Sequence, residues 1–260
     1  MTKTVHHLMI CAPAMAGLAG QVARALAQGR DRLAEAGYGA AAIGPSASAQ
    51  IHIDETLIGR VPQGLAGFFP QVGGRARDYA GRLGGPVGRL VITTLPYDLY
   101  YPMMWRFLAH RRAVQPFAEM AELLVARERG WVELVSELSA ALGARETVIL
   151  PAPVRGEEAL AALVPGASLP MPPAAAQENV PDTGLVMLQR LYRSGATIAP
   201  RQIQRLMQFH ARQPQPAPLA AFSALEAARL RRRYQADLAT LAARPGVRIG
   251  AAPELVLAAE

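Results

Sequence analysis

His7-Leu8-Met9-Ile10-Cys11 followed by Ala12-Pro13-Ala14-Met15-Ala16-Gly17, within the stretch Thr4 to Gly37, decides how the rest of the 260-residue chain is read. The first five residues are an apolar run of strand length, and the next six are small and turn-forming. Beyond them Leu18, Val22, Ala25, Leu26 and Leu33 recur at near-helical spacing, while Arg24, Arg30, Asp31 and Glu35 face away. Strand, tight turn and helix at the start of an α/β chain is where a phosphate-binding loop sits, because amides at a helix N-terminus point at an anion and the helix dipole favours it. The candidate contacts are the backbone groups of Ala14, Ala16 and Gly17. The side-chain chemistry of such a loop is missing. A working loop uses a lysine on the phosphates and a Ser/Thr hydroxyl at the helix start. Lys3 is the only lysine in the chain, and no hydroxyl or fixed cation lies between Val5 and Val22. The simpler reading is a hydrophobic βα unit with an ordinary turn.

Working outward, 51% hydrophobic and 18% charged residues describe a globular protein with one sizeable core, read as a single domain over residues 1–260. The net charge is +7 and nearly all the basic side chains are arginine, which suits phosphate, sulfate and carboxylate but also accompanies an Ala/Gly/Pro/Arg-rich composition. The single cysteine, Cys11, excludes an internal disulfide and a cysteine-based zinc site, and reads as a small core residue. His6, His7, His52, His110 and His210 show no metal-ligand spacing. The uncharged run after Lys3 and the Ala25-x-Ala27 triplet loosely resemble a signal peptide. Pro13, two histidines, Arg24 and an unbroken helical pattern argue against one, so a cytoplasmic location is expected. The uncharged run after Glu158 is broken by Pro165, Pro170, Pro172 and Pro173, so no membrane span is expected.

Strands are predicted at about 7–11, 39–43, 89–94 and 146–150, alternating with helices in the first two thirds, and the last third reads as helical. Ile51-His52-Ile53-Asp54-Glu55-Thr56-Leu57-Ile58-Gly59 places two adjacent acids in an apolar segment, read as a strand end with solvated carboxylates or as a site. Leu95 to Phe107 is the most aromatic stretch and is expected to line a pocket or to be core under a loop. Residues 165–176 read as a surface connector. The expected result is a three-layer α/β domain with a mostly parallel sheet.

Several of these segments, in their order, resemble the bacterial sulfotransferase-like family, a variant of the P-loop NTPase fold. The likeness rests on Arg30-x-Arg32-Leu33-x-x-x-Gly37 with Gly44-Pro45, on Asp54-Glu55-Thr56-Leu57-Ile58-Gly59, on Tyr97-Asp98 after the central strand, on Arg129-Gly130-Trp131 before a helix, and on Asn179. The resemblance implies 3′-phosphoadenosine 5′-phosphosulfate as donor, held by a lysine-plus-hydroxyl loop and by a second arginine and serine clamp. Here the first would fall at Pro13 to Gly20, and the second at Leu95 and Met103, so both clamps are apolar. Three readings follow. One is a family-like protein that has lost donor binding and acts as a binding or accessory protein, with no cofactor. Another is an active sulfotransferase with relocated phosphate ligands, acting on a carbohydrate or small-molecule hydroxyl, with Glu55 or Asp54 as general base. The third is a binder of nucleic acid or anionic surfaces through Arg229 and Arg231 to Arg233; successive residues point around a helix, so a solvated face is preferred and nucleic acid is not the expected partner.

Overall fold

The structure, a computed structural model, describes residues 4–12, 15–40, 49–174, 180–215 and 217–250. The opening apolar run is β1 (Val5–Ile10), and α1 (Ala16–Gln28) follows, with the Met15 amide donating to the Ala12 carbonyl at 2.7 Å. The helix expected to run through Arg30 is interrupted at Gly29 and resumes as α2 (Arg30–Glu35). Gly29 is buried under Leu169, whose Cδ2 would lie 2.5 Å from a Cβ there, so close packing explains the glycine that breaks the helical pattern. The remaining elements are β2 (Tyr38–Ala40), β3 (Ala49–Asp54), α3 (Val61–Gly67), α4 (Val72–Leu83), β4 (Val87–Thr94), α5 (Tyr97–Ala109), α6 (Phe117–Ala126), α7 (Trp131–Leu142), β5 (Glu146–Pro151), α8 (Gly156–Leu163), α9 (Asp182–Arg193), α10 (Pro200–His210), α11 (Ala224–Ala242) and β6 (Val247–Ile249). Residues 41–43 of the expected second strand lie outside the described residues.

All six strands join one parallel sheet in the order β2-β3-β1-β4-β5-β6. The alternation of side chains divides the interior in two. Leu8, Ile10, Leu90, Ile92 and Ile149 face a large core built from α3, α4, α5, α6, α7 and α11. Met9, Cys11, Ile51, Val91, Val148 and Leu150 face a smaller one built from α1 and α8. Helices on both faces make β1, β4 and β5 apolar at successive positions, which is why they were legible as uninterrupted runs. No described helix is long and apolar enough to cross a membrane.

Three local features add to the sequence reading. The aromatic stretch after β4 is core, as one of its two readings had it, and is carried by helix α5, with Pro102 inside it and Tyr97, Tyr100, Tyr101, Met104 and Trp105 buried along one side. The glycine-rich stretch before α4 contains α3, ended by Phe68 and Phe69 at φ 51° and 55°. Positive φ is rare for such bulky residues. Here it is held by Arg129, whose Nε donates to the Phe68 carbonyl at 3.1 Å and Nη2 to the Phe69 carbonyl at 3.2 Å. Finally, the helical last third ends in β6, too short to show a period. It is fixed by ladder bonds from Thr147 N–H to the Gly246 carbonyl and from Gly250 N–H to the Ile149 carbonyl, both 2.8 Å.

Candidate functional site

β1 lies between β3 and β4, and the chain leaves these three strands in different directions. After β1 it passes to the α1 face; after β3 and β4 it passes to the opposite face, where α3 and α5 lie. Turns that diverge this way leave a crevice beyond the carboxyl ends of the strands, the usual ligand position in open α/β sheets. In this chain the residues at that edge are Cys11 and Ala12 after β1, Asp54 to Gly59 after β3, and Thr93 to Tyr97 at the end of β4, most of them buried.

On the β1 side the crevice is plugged. Met15, the residue preceding α1, packs against both cores, and the Thr93 hydroxyl lies 3.5 Å from its sulfur. Cys11 is fully buried, and burial pushes its thiol up to about 12, so it is a core group without nucleophilic character near neutral pH. Of the sequence-predicted anion contacts, Ala14 lies outside the described residues, while Ala16 and Gly17 form the first turn of α1, with Gly17 exposed. That helix start has no capping side chain, so backbone amides are what it offers an anion.

The acidic pair sits on the same edge. Asp54 ends β3 opposite Ile10, and its Oδ1 accepts from the amides of Thr56 and Leu57 at 2.7 and 2.8 Å and from the Thr56 hydroxyl at 2.9 Å. It is the cap of the turn that follows, a role that the strand-end reading anticipated only as solvation. Among the described residues Glu55 makes no such bond; burial, and then the neighbouring Asp54 charge, raise its pKa. Arg75 braces the same turn from α4, donating to the carbonyls of Leu57 at 2.9 Å and Thr56 at 2.7 Å. Arg60 and Arg155, which precede α3 and α8, are exposed on this edge and take part in no ion pair among the described residues.

The β4 side is closed by α11, and here sequence reasoning missed most of the polar groups. Tyr234 meets the Thr94 hydroxyl at 2.8 Å, and both are buried. Tyr97 donates to Asp237 and accepts from the Trp131 amide at 2.7 Å. Burial, and then the Asp237 charge, raise the Tyr97 hydroxyl far above the ordinary tyrosine value, and burial likewise raises Asp237. Arg233 lies over the Tyr97 ring, 4.5 Å from its centroid, and bonds the Arg127 and Glu128 carbonyls. Arg231 pairs with buried Asp98 at 2.7 Å. The arginine cluster of α11 is therefore mixed: Arg229 and Arg232 are exposed and take part in no ion pair among the described residues, Arg231, also largely exposed, holds Asp98 at the start of α5, and Arg233 holds the carbonyls after α6. The signal available in the sequence was Thr93-Thr94, two hydroxyls closing an apolar strand.

Arg129-Gly130-Trp131 supports this edge from beneath. Trp131 Nε1 donates to the Leu95 carbonyl at 2.9 Å, and Arg129 pairs with Glu137 while holding the Phe68 and Phe69 carbonyls. At the positions of the second phosphate clamp, Leu95 is buried and Met103 half-buried against the large core. Asn179 lies outside the described residues. The side chains described around the start of α1 and at Leu95 and Met103 do not fit a bisphosphorylated nucleotide, since they present sulfur and hydrocarbon where charge-assisted donors are needed. Among the described residues no group of three metal-ligating side chains converges. Comparison of the chain with family models, curated proteins and solved structures found no match.

Proposed function

We propose that the chain is a sulfotransferase-like protein that has lost binding of 3′-phosphoadenosine 5′-phosphosulfate and works as a non-catalytic binding or accessory protein. The observation that carries this reading is the packing of the sheet edge: Met15 lies against both cores with the Thr93 hydroxyl 3.5 Å from its sulfur, and buried Leu95 stands where the second clamp would be. A hydrogen bond to a charged group is worth roughly 1.5–3 kcal/mol, so three or four missing ones cost about 5–10 kcal/mol. At about 1.4 kcal/mol per decade this is a loss of thousands-fold or more. The test is calorimetric titration with adenosine 3′,5′-bisphosphate at moderate ionic strength, where no saturable heat is expected. Salt-resistant binding with Kd at or below about 10 μM, roughly −7 kcal/mol, overturns the reading.

A second reading, an active transferase with relocated ligands, draws on Glu55 and on Arg60 and Arg155 at the same edge. Glu55 would act as the general base that takes the acceptor hydroxyl proton, and its raised pKa suits that task. This reading requires the titration above to show binding, and it requires Arg60→Gln with Arg155→Gln to abolish that binding.

A further inference from the structure

The α9–α10 hairpin forms a second concavity, at the end of α5 remote from Tyr97 and about 18 Å away along that helix at 1.5 Å per residue. α10 packs mainly on α9, and Met207 is its one buried side chain. Between α10, Val180 and the end of α5 lies a cleft of about 600 Å³ with apolar walls from Val180, Ile203 and Met207 and amide or imidazole groups from Gln204, Gln208 and His110. That volume falls within the usual range for small-molecule sites, about 300–1,000 Å³.

Its shape limits what it can hold. The lining follows α10 from Pro200 to Ala211, about 16 Å at 1.5 Å per residue. Opposite α10 the wall is Val180 and His110, so the apolar track is narrow, and a single hydrocarbon chain matches it more closely than a helix about 10–12 Å across with its side chains.

The charge around the cleft has one sign. From Val180 to Pro218 the sequence carries Arg190, Arg193, Arg201, Arg205 and Arg212 against one carboxylate, Asp182, which is taken by Arg106. Arg201, Arg205 and Arg212 are chain neighbours of lining residues, all exposed, and belong to no ion pair among the described residues. Guanidinium groups favour carboxylate or phosphate, while the cleft walls favour hydrocarbon. We propose that this cleft binds a free, single-chain amphiphilic anion: an acyl chain of medium length along α10 with its carboxylate at Arg201 and Arg205, one turn apart near the start of that helix. The inference is independent of what the sheet edge does.

The experiment is calorimetric titration of the full chain with monomeric dodecanoate, alongside dodecanol, dodecyltrimethylammonium, phosphatidylglycerol vesicles and an acidic amphipathic peptide. Dodecanoate is expected to saturate one site, at least ten-fold tighter than the trimethylammonium analogue. Ala211→Trp, at an exposed position that lines the cleft, should weaken it ten-fold or more with the unfolding transition unchanged. The double variant Arg201→Gln, Arg205→Gln, entirely on the surface, should weaken dodecanoate about five-fold and leave dodecanol unaffected. Absence of saturable binding, equal affinity for anionic and cationic head groups, or an affinity indifferent to both variants overturns the proposal. So does a vesicle or peptide that binds while dodecanoate fails to compete.

Discussion

Gly130→Ala probes the closure of the β4 end by α11 with a single methyl group. Gly130 has φ −155° and ψ −148°, outside the left-handed region that favours glycine. The cost is steric. A Cβ there would fall well inside van der Waals contact of the Tyr97 hydroxyl, 2.9 Å from its Cζ and 2.7 Å from Arg233 Nη2. Tyr97 cannot simply swing away, because its hydroxyl joins Asp237 and the Trp131 amide and its ring stacks on Trp131. Displacing it gives up one neutral hydrogen bond, about 1 kcal/mol, and one to a charged group, about 1.5–3 kcal/mol; overpacking a filled site costs about 1–3 kcal/mol by itself. These terms overlap, since the movement that relieves the crowding is the one that breaks the bonds, and the expected total is about 3 kcal/mol. Urea unfolding followed by far-UV circular dichroism and tryptophan fluorescence measures it. The pairing with Tyr97 is checked by a double-mutant cycle: in a Tyr97→Phe background the hydroxyl is gone, and Gly130→Ala should cost less than half as much. A loss below about 0.5 kcal/mol in the parent, or strict additivity with Tyr97→Phe, would refute the proposed wedge between α7 and α11.

Two further outcomes separate capping from chemistry and test the histidines. Asp54→Ala should lower stability by about 1–3 kcal/mol, because three donors lose their acceptor; Glu55→Gln, lacking such bonds, should leave the unfolding midpoint within experimental error. His6 and His52 meet nitrogen to nitrogen at 3.0 Å across β1 and β3, and burial lowers both pKa values, as it does that of His7. The unfolded chain then binds more protons than the folded one below the ordinary histidine value of about 6.5. Stability should be fully present above about pH 6.5 and fall as the pH drops through the lowered folded values, and His52→Gln should flatten that dependence in a urea series from pH 7.5 to 5.0. A slope unchanged by the substitution would locate the acid sensitivity elsewhere.

The sequence is legible where burial is simple. β1, β4 and β5 are covered on both faces and read as apolar runs, and in α7 the buried residues Trp131, Leu134, Val135, Leu138 and Leu142 stand at plain helical spacing. It is less legible where a residue works through a distant partner. Nothing local marks Arg231 as the partner of Asp98 or Arg233 as a clamp on the carbonyls after α6, because these contacts span more than a hundred positions. A period count sees four arginines on a helix. β6 is invisible for the same reason: three residues acquire strand geometry only because β5 supplies the ladder. The acidic pair was read as a strand end, and Asp54 does end β3, yet its turn chemistry required knowing where the chain goes next.

The proposed loss of donor binding has a further physical argument in the polar inventory of the sheet edge. A phosphate site needs donors that are oriented and free, so that the anion exchanges water for them at little cost to the protein. Here the groups best placed on that edge are already paired: Thr94 with Tyr234, Tyr97 with Asp237, Asp98 with Arg231, Arg75 with the carbonyls of Thr56 and Leu57. Recruiting any one of them breaks a bond that holds α11 or the β3 turn in place, so donor binding would draw directly on fold stability. Each charged bond surrendered costs about 1.5–3 kcal/mol, and a domain is stable by only about 5–15 kcal/mol. Two such exchanges would consume a large share of that margin, with the Met15 plug still to be moved. The exposed Arg60 and Arg155 on this edge carry no such debt among the described residues, which is why their double substitution discriminates between a lost site and a relocated one.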